Sequence, residues 1–264
     1  MSNKTFHFLS GLPRTGSTVL EALLNQNPQV YVTPTSPLLH LLNKNQEEFY
    51  RCPEVVANPN GQMLTDMSMA MIEGAWQHRP EPIIIDKHRG WGKNMPATTI
   101  VFGKEIKMVA TIRDIPSIMA SWLTLIRNQP NNFIKDTVIK KGFEPTEENM
   151  MAEMWFGHVL DCVESVAMAR KTASNRMLEI KYDDFVNDPL GQVNRIEGFL
   201  ELPSYDYDIN NITNDDKLNN DIEAFGFRDM HKIRPKVEKI AKDPREVLGD
   251  SLYNRFVDLE RQYL

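Results

Sequence analysis

Thr5-Phe6-His7-Phe8-Leu9-Ser10-Gly11-Leu12-Pro13-Arg14-Thr15-Gly16-Ser17-Thr18 reads as an apolar strand that enters a glycine-bounded turn and leaves it as a helix. Thr5 to Ser10 is a short β-type run of the kind a parallel sheet buries. Gly11 and Gly16 bracket the frame Gly-x-x-x-x-Gly, in which backbone amides at a helix N-terminus hold phosphate. In the nucleoside-triphosphate version of this frame a lysine follows the second glycine and neutralises the terminal phosphates. Here that position is Ser17, and the cation is Arg14, inside the loop, where a guanidinium can pair with two oxygens of a phosphate or sulfate group. The exchange argues against ATP or GTP. A strand-to-helix turn with two glycines can also exist without any ligand.

The same unit recurs along the chain. Ser17 to Gln26 carries Val19, Leu20, Leu23 and Leu24 on one helical face, and Pro28 ends it. Three more β-type runs follow, at Pro82 to Asp86, Ile106 to Ile112 and Met177 to Tyr182. The third run of the chain leads into a helix at Ile115 to Arg127, with Asp114 as its cap and Pro116 in its first turn, and the fourth leads towards one at Pro189 to Leu200, capped by Asp188. Strand, turn and capped helix in repetition predict an α/β fold with a central parallel sheet flanked by helices on both faces. Helical insertions are expected at about 35–80, including Met63 to Trp76, and at about 128–175, including a long helix from about Glu147 to Arg170. Tyr205 to Asp221, rich in Asn and Asp, reads as a surface loop, and about 222–264 as a helical region ending in Pro244 to Tyr263. With no repeat and no linker, one domain over 1–264 is expected.

Composition narrows the function. The 264 residues are 41% hydrophobic and 25% charged, enough for one large core. No apolar run approaches the roughly 20 residues of a membrane helix, and the N-terminus has no signal-peptide stretch, so a cytoplasmic protein without a membrane partner is expected. Cys52 and Cys162 are too few for a disulfide framework and sit in no metal-ligand spacing, which suits a reducing compartment. A net charge of -6 argues against nucleic acid as a partner and leaves room for a local basic pocket.

Pro13-Arg14-Thr15-Gly16-Ser17-Thr18 resembles the loop with which sulfotransferases bind the 5′-phosphosulfate end of 3′-phosphoadenosine 5′-phosphosulfate (PAPS). It is closer to the branch reading Pro-Arg-Ser/Thr-Gly-Ser/Thr-Thr than to the cytosolic branch reading Pro-Lys-Ser-Gly-Thr-Thr. The family's second motif pairs an arginine at a strand end with a serine eight residues on, and Arg113 and Ser121 match it. An arginine at the carboxyl end of a strand lies in the crevice where open α/β sheets bind ligands. A third similarity, Lys181-Tyr182-Asp183-Asp184-Phe185 leading to Pro189, implies that Tyr182 lies near the adenine, although a strand-end packing role fits the same residue. The resemblance runs from Phe6 to about Leu202. The Arg-Lys-Gly element that completes the 3′-phosphate site in cytosolic members is missing. The basic stretch Arg228 to Lys236, with Arg234 at its heart, either replaces it or is a solvated face.

The resemblance thus implies a donor site of Arg14, Thr15, Gly16, Ser17, Thr18, Arg113, Ser121, Tyr182 and Arg234, with PAPS as sulfuryl donor, 3′,5′-adenosine bisphosphate (PAP) as product and no metal. Sulfuryl transfer needs an aligned acceptor, a base, and cations where charge develops. Arg14 suits the charge on the sulfuryl and phosphate oxygens. Asp86-Lys87-His88-Arg89-Gly90-Trp91 gathers ionisable groups at a strand end, and cytosolic sulfotransferases have Lys-x-His there. Lys87 and His88 lack the spacer, and adjacent strand residues point to opposite faces. The tyrosylprotein branch takes its base from a glutamate after the first helix, but Thr33 to Pro37 contains no carboxylate. His88 is therefore the first candidate base and Asp86 the second, as orienter or base. The acceptor stays open among small molecules, carbohydrates, lipids and peptides. Two rivals also stay open: a kinase with a degenerate phosphate loop, and a nucleotide-binding module without catalysis.

Overall fold

The computed structural model describes residues 4–102, 106–213, 221–239 and 242–264. In chain order the elements are β1 (Thr5–Gly11), α1 (Ser17–Leu24), β2 (Val30–Val32), α2 (Leu38–Arg51), α3 (Pro53–Ala57), α4 (Gly61–Ala75), β3 (Ile83–Lys87), α5 (Trp91–Phe102), β4 (Met108–Ile112) and α6 (Ile115–Asn128). Then come α7 (Phe133–Lys140), α8 (Glu147–Met154), a π turn (Trp155–Val159), α9 (Leu160–Thr172), β5 (Met177–Lys181), α10 (Tyr182–Asn187), α11 (Pro189–Leu200), α12 (Asp221–Phe225) and α13 (Pro244–Tyr263). The sheet has five strands in the order β2-β3-β1-β4-β5. Every neighbouring pair is parallel.

Alternation along the strands sorts the core into two layers. Leu9, Ile85, Val109 and Ile180 face α1 and α11 through Leu20, Leu23, Val193 and Ile196. Phe8, Met108 and Ala110 face the other way, onto Trp91, Met95 and Ala169 of α5 and α9. Helices thus cover both faces, as the strand-helix repeat predicts. A separate helical lobe forms where α6, α8, α9 and α13 meet around Leu123, Met151, Trp155 and Phe256.

Several expectations shift in detail. β2 is a fifth strand that sequence reading did not find, because its three residues, Val-Tyr-Val, are too short to show a period. β3 begins and ends one residue later than expected, β4 starts at Met108, and Tyr182 opens α10 rather than closing β5. α1 ends at Leu24. The helix expected from Glu147 to Arg170 is two helices joined by the π turn. The predicted caps are present: Asp114 Oδ1 accepts from the Ser117 amide at 2.8 Å and Asp188 Oδ1 from the Gly191 amide at 3.0 Å. The expected loop from Tyr205 is irregular through residue 213, its remainder to residue 220 lies outside the described residues, and Asp221 already belongs to α12. Residues 240–241 of the expected helical C-terminal region also lie outside them.

Candidate functional site

The glycine loop joins β1 to α1 at the carboxyl edge of the sheet. Its shape requires its glycines. Gly11, at φ 119°, packs so tightly on β4 that a Cβ would lie 2.1 Å from the Thr111 carbonyl oxygen. Gly16, at φ 76°, occupies the cap position of α1 and offers no side chain to the first-turn amides, which are left for an anion. Arg14 also adopts a left-handed backbone, at φ 60°. Thr15 turns inward: its buried hydroxyl lies 2.8 Å from the Leu12 carbonyl and 2.7 Å from the Thr111 hydroxyl. Its side chain therefore anchors the loop to β4, and its backbone amide is what remains for a ligand. Ser17 and Thr18 line the cavity that opens over the loop.

The two sequence motifs meet in space. Arg14 Nε donates to Ser121 Oγ at 3.0 Å, and Arg113 Nη1 donates to the Arg14 carbonyl at 3.0 Å. The Arg14 guanidinium also lies 5.5 Å from the Trp122 ring centre, and Arg113 stacks over the Tyr182 ring at 4.0 Å. Tyr182 is buried beneath that guanidinium and lines the cavity. Arg234 lines the cavity too, 3.8 Å from Glu238.

β3 delivers the second group of residues, and the strand alternation sorts them. Lys87 follows Ile85 onto the α1 face, where its Nζ pairs with Glu21, a wholly buried carboxylate of α1. Burial pulls the Lys87 amine below the usual lysine range, Glu21 pulls it back up, and Arg89 adds to the fall. Asp86 points to the opposite face, accepts from Trp91 Nε1 at 2.9 Å and is wholly buried. Burial pushes its carboxyl up to about 6. It does not line the cavity, so the expected alternative base is not brought to the site.

His88 lies just past the strand, half-buried at the cavity wall. Its Nδ1 accepts the Gly90 amide at 3.1 Å. An amide N–H can only donate, so the neutral ring carries its hydrogen on Nε2 and presents a donor. Burial first, then Arg89 and His40, hold its pKa below the ordinary histidine value.

Three residues that sequence reading did not assign complete the site. Arg89 lines the cavity, and among the described residues no carboxylate pairs with it; burial lowers its pKa. His231 lines the same cavity, and its Nδ1 lies 2.8 Å from Asp221 Oδ1. Nδ1–H donates to the carboxylate, which leaves Nε2 as the basic nitrogen. Burial outweighs Asp221 in setting the His231 pKa, which falls below the usual value, with Lys87 and Arg89 also lowering it.

The electrostatic result is uneven. The chain carries a net charge of -6. Yet among the described residues no carboxylate pairs with Arg14, Arg89 or Arg113, while Lys87 has Glu21. Burial, with Arg89 and Arg113 nearby, brings Arg14 down to about 10. Lys232, Lys236 and Lys242 add cations to the rim. A half-buried cluster of guanidiniums beside uncapped helix amides is a receptor for a polyanion. Among the described residues no group of three or more His, Cys, Asp and Glu could hold a metal, and no helix is long and apolar enough to cross a membrane.

A parallel sheet with this loop at the carboxyl end of its central strand defines a phosphate-loop α/β protein. The model of the Sulfotransferase family matches residues 8–207, and the chain therefore belongs to the sulfotransferase family and is a transferase enzyme. Solved structures agree on the fold. A sulfotransferase domain from the Synechococcus PCC 7002 olefin synthase aligns with a TM-score of 0.56 at 18% identity, over 100% of this chain and 96% of that one. A sulfotransferase domain from the curacin biosynthetic pathway aligns with a TM-score of 0.56 at 15% identity, over 99% and 98%. No curated protein sequence matches the chain.

Proposed function

We propose that this enzyme moves the sulfuryl group of PAPS to an acceptor hydroxyl, releasing PAP. The observation that carries the donor assignment is the set of three guanidiniums, Arg14, Arg89 and Arg113, that pair with no carboxylate among the described residues, beside the uncapped start of α1. The loop amides from Thr15 to Thr18, with the Ser17 and Thr18 hydroxyls, hold the 5′-phosphate end. Arg113, Ser121 and Arg234 take the 3′-phosphate, and Tyr182 borders the adenine with one ring face already covered by Arg113.

In the transfer step the acceptor oxygen forms a bond to sulfur as the bond from sulfur to the 5′-phosphate oxygen breaks. The electron pair leaves on the phosphate, and the acceptor proton must go to a base. Arg14, Lys87 and Arg89 offset the charge growing on the sulfuryl and phosphate oxygens. The base role moves from His88 to His231 in this reading. His88 has its accepting nitrogen committed to Gly90 and offers Nε2–H, which suits a donor to the transferring group. His231 has the opposite tautomer, held by Asp221, and takes the proton on Nε2. One domain over 1–264 and a cytoplasmic setting belong to the same proposal; the free thiols of Cys52 and Cys162 support a reducing compartment.

Incubation with PAPS and a panel of alcohols, followed by PAP release, tests the reading. Release that depends on the acceptor is expected. Transfer from ATP instead would turn the assignment to a kinase.

A further inference from the structure

The cavity over the loop is about 1070 Å³, at the top of the roughly 300–1,000 Å³ that one drug-sized ligand needs. Its lining extends from the glycine loop to the helical lobe. One end is the cationic site described above. The other runs into the helical lobe, where its walls are Trp122 and Leu125 of α6, Phe133 of α7, Met154 of α8, Cys162 of α9 and Val247 of α13. These side chains belong to, or pack against, the lobe's hydrophobic core.

We infer that this arm binds the body of the acceptor, and that the acceptor is an alcohol with an uncharged, apolar chain or ring whose hydroxyl stands at His231, Lys87 and Arg89. The inference rests on the sulfotransferase reading and adds the acceptor class to it. Beyond Ser121, α6 and the π turn contribute Thr124, Asn128 and His158 as polar lining, and α12 adds the exposed Glu223. His158 packs edge-on against Phe133 at 5.2 Å, and burial keeps its pKa below the usual value, so this ring adds no charge to the wall at neutral pH. A sugar would surrender several hydroxyl–water bonds to such walls with few replacements, whereas a hydrocarbon gains from each methylene it buries. The π turn at Trp155–Val159 supplies His158 to the wall, and insertions of this kind gather at functional sites.

The test uses the whole enzyme, PAPS, and straight-chain primary alcohols from ethanol to decanol, with glucose and a tyrosine peptide as comparators. PAP binding by calorimetry is measured alongside. The expected result is a kcat/KM that rises about fourfold per added methylene, the worth of one buried CH₂, until the arm is full. Leu125→Trp, which narrows the arm, should lower the ratio of kcat/KM for decanol to that for ethanol at least tenfold, with PAP binding kept. Val247→Trp gives a second variant should the first fail to fold, and PAP binding reports folding in both. A rate indifferent to chain length, preference for glucose or the peptide, or PAP binding with no alcohol used at any length overturns the inference and leaves the donor reading standing. Loss of PAP binding in the wild-type enzyme overturns both.

Discussion

Arg113 and Arg14 make the proposed donor site a matter of single side chains. Arg113 bonds the Arg14 carbonyl and stacks on Tyr182, so its charge is held in place, and among the described residues no carboxylate pairs with it. Replacing it with alanine should weaken PAP by roughly ten- to a hundredfold, the worth of a charge-assisted hydrogen bond, while adenosine 5′-phosphate binds as before. Calorimetry with both nucleotides decides, and an equal loss for each would place Arg113 elsewhere. The base is a second question at this scale. His231→Ala should lower kcat by about a hundredfold or more. A base works when deprotonated, so the rate falls as pH drops through its pKa, which burial sets below the ordinary histidine value. Asp221 raises that pKa, so Asp221→Asn should move the acid limb of the kcat profile to still lower pH. If the limb ignores Asp221→Asn and disappears in His88→Ala, His88 is the base. These assignments were unevenly legible. Arg14, Arg113 and Ser121 lie inside short motifs. Asp221 and His231, ten residues apart, meet across α12 and the turns that follow it, and no spacing rule joins them. Glu21 left one trace, a carboxylate among the inward-facing leucines of the first helix.

β3 shows how an element distributes chemistry. Its alternation gives Lys87 to the loop side and Asp86 to the far side, which is why a contiguous cluster in sequence becomes two environments in the fold. Asp86 has a folded-state pKa of about 6, above the unfolded value near 3.9. Its contribution favours folding below pH 4 and is lost as pH rises through about 6. Asp86→Asn keeps an acceptor for Trp91 and should flatten the fall in Tm between pH 4 and 7 relative to the wild type. A parallel decline in both proteins would show that Asp86 does not titrate in this window. The β1–α1 junction is constrained by sterics. Gly11→Ala places a methyl 2.1 Å from a β4 carbonyl oxygen, and a loss of about 3 kcal/mol or more by denaturant titration is expected. Strands of five to seven residues with turn signals were readable, and so were the caps at Asp114 and Asp188. β2 and the π turn were not, because three residues carry no period and a single extra residue in a helix leaves the hydrophobic pattern almost unchanged.

At the scale of the molecule, two-layer packing around the sheet sets the loop at the mouth of a cavity whose other end lies in the helical lobe. The α/β architecture was legible because it follows from local strand–turn–helix units. The cavity was not, because its walls come from α6, α7, α8, α9 and α13, which only tertiary packing brings together. The central claim is that this site is built for a 3′-phosphorylated adenine nucleotide carrying a 5′-phosphosulfate, and it has a direct measurement. Thermal unfolding is followed with PAP, ATP and Mg²⁺-ATP at matched concentrations. At a hundredfold excess over its Kd, PAP should add about 2.7 kcal/mol of stability and raise Tm by roughly 5–10 °C, with little change from either form of ATP. A larger shift from Mg²⁺-ATP than from PAP would contradict the account.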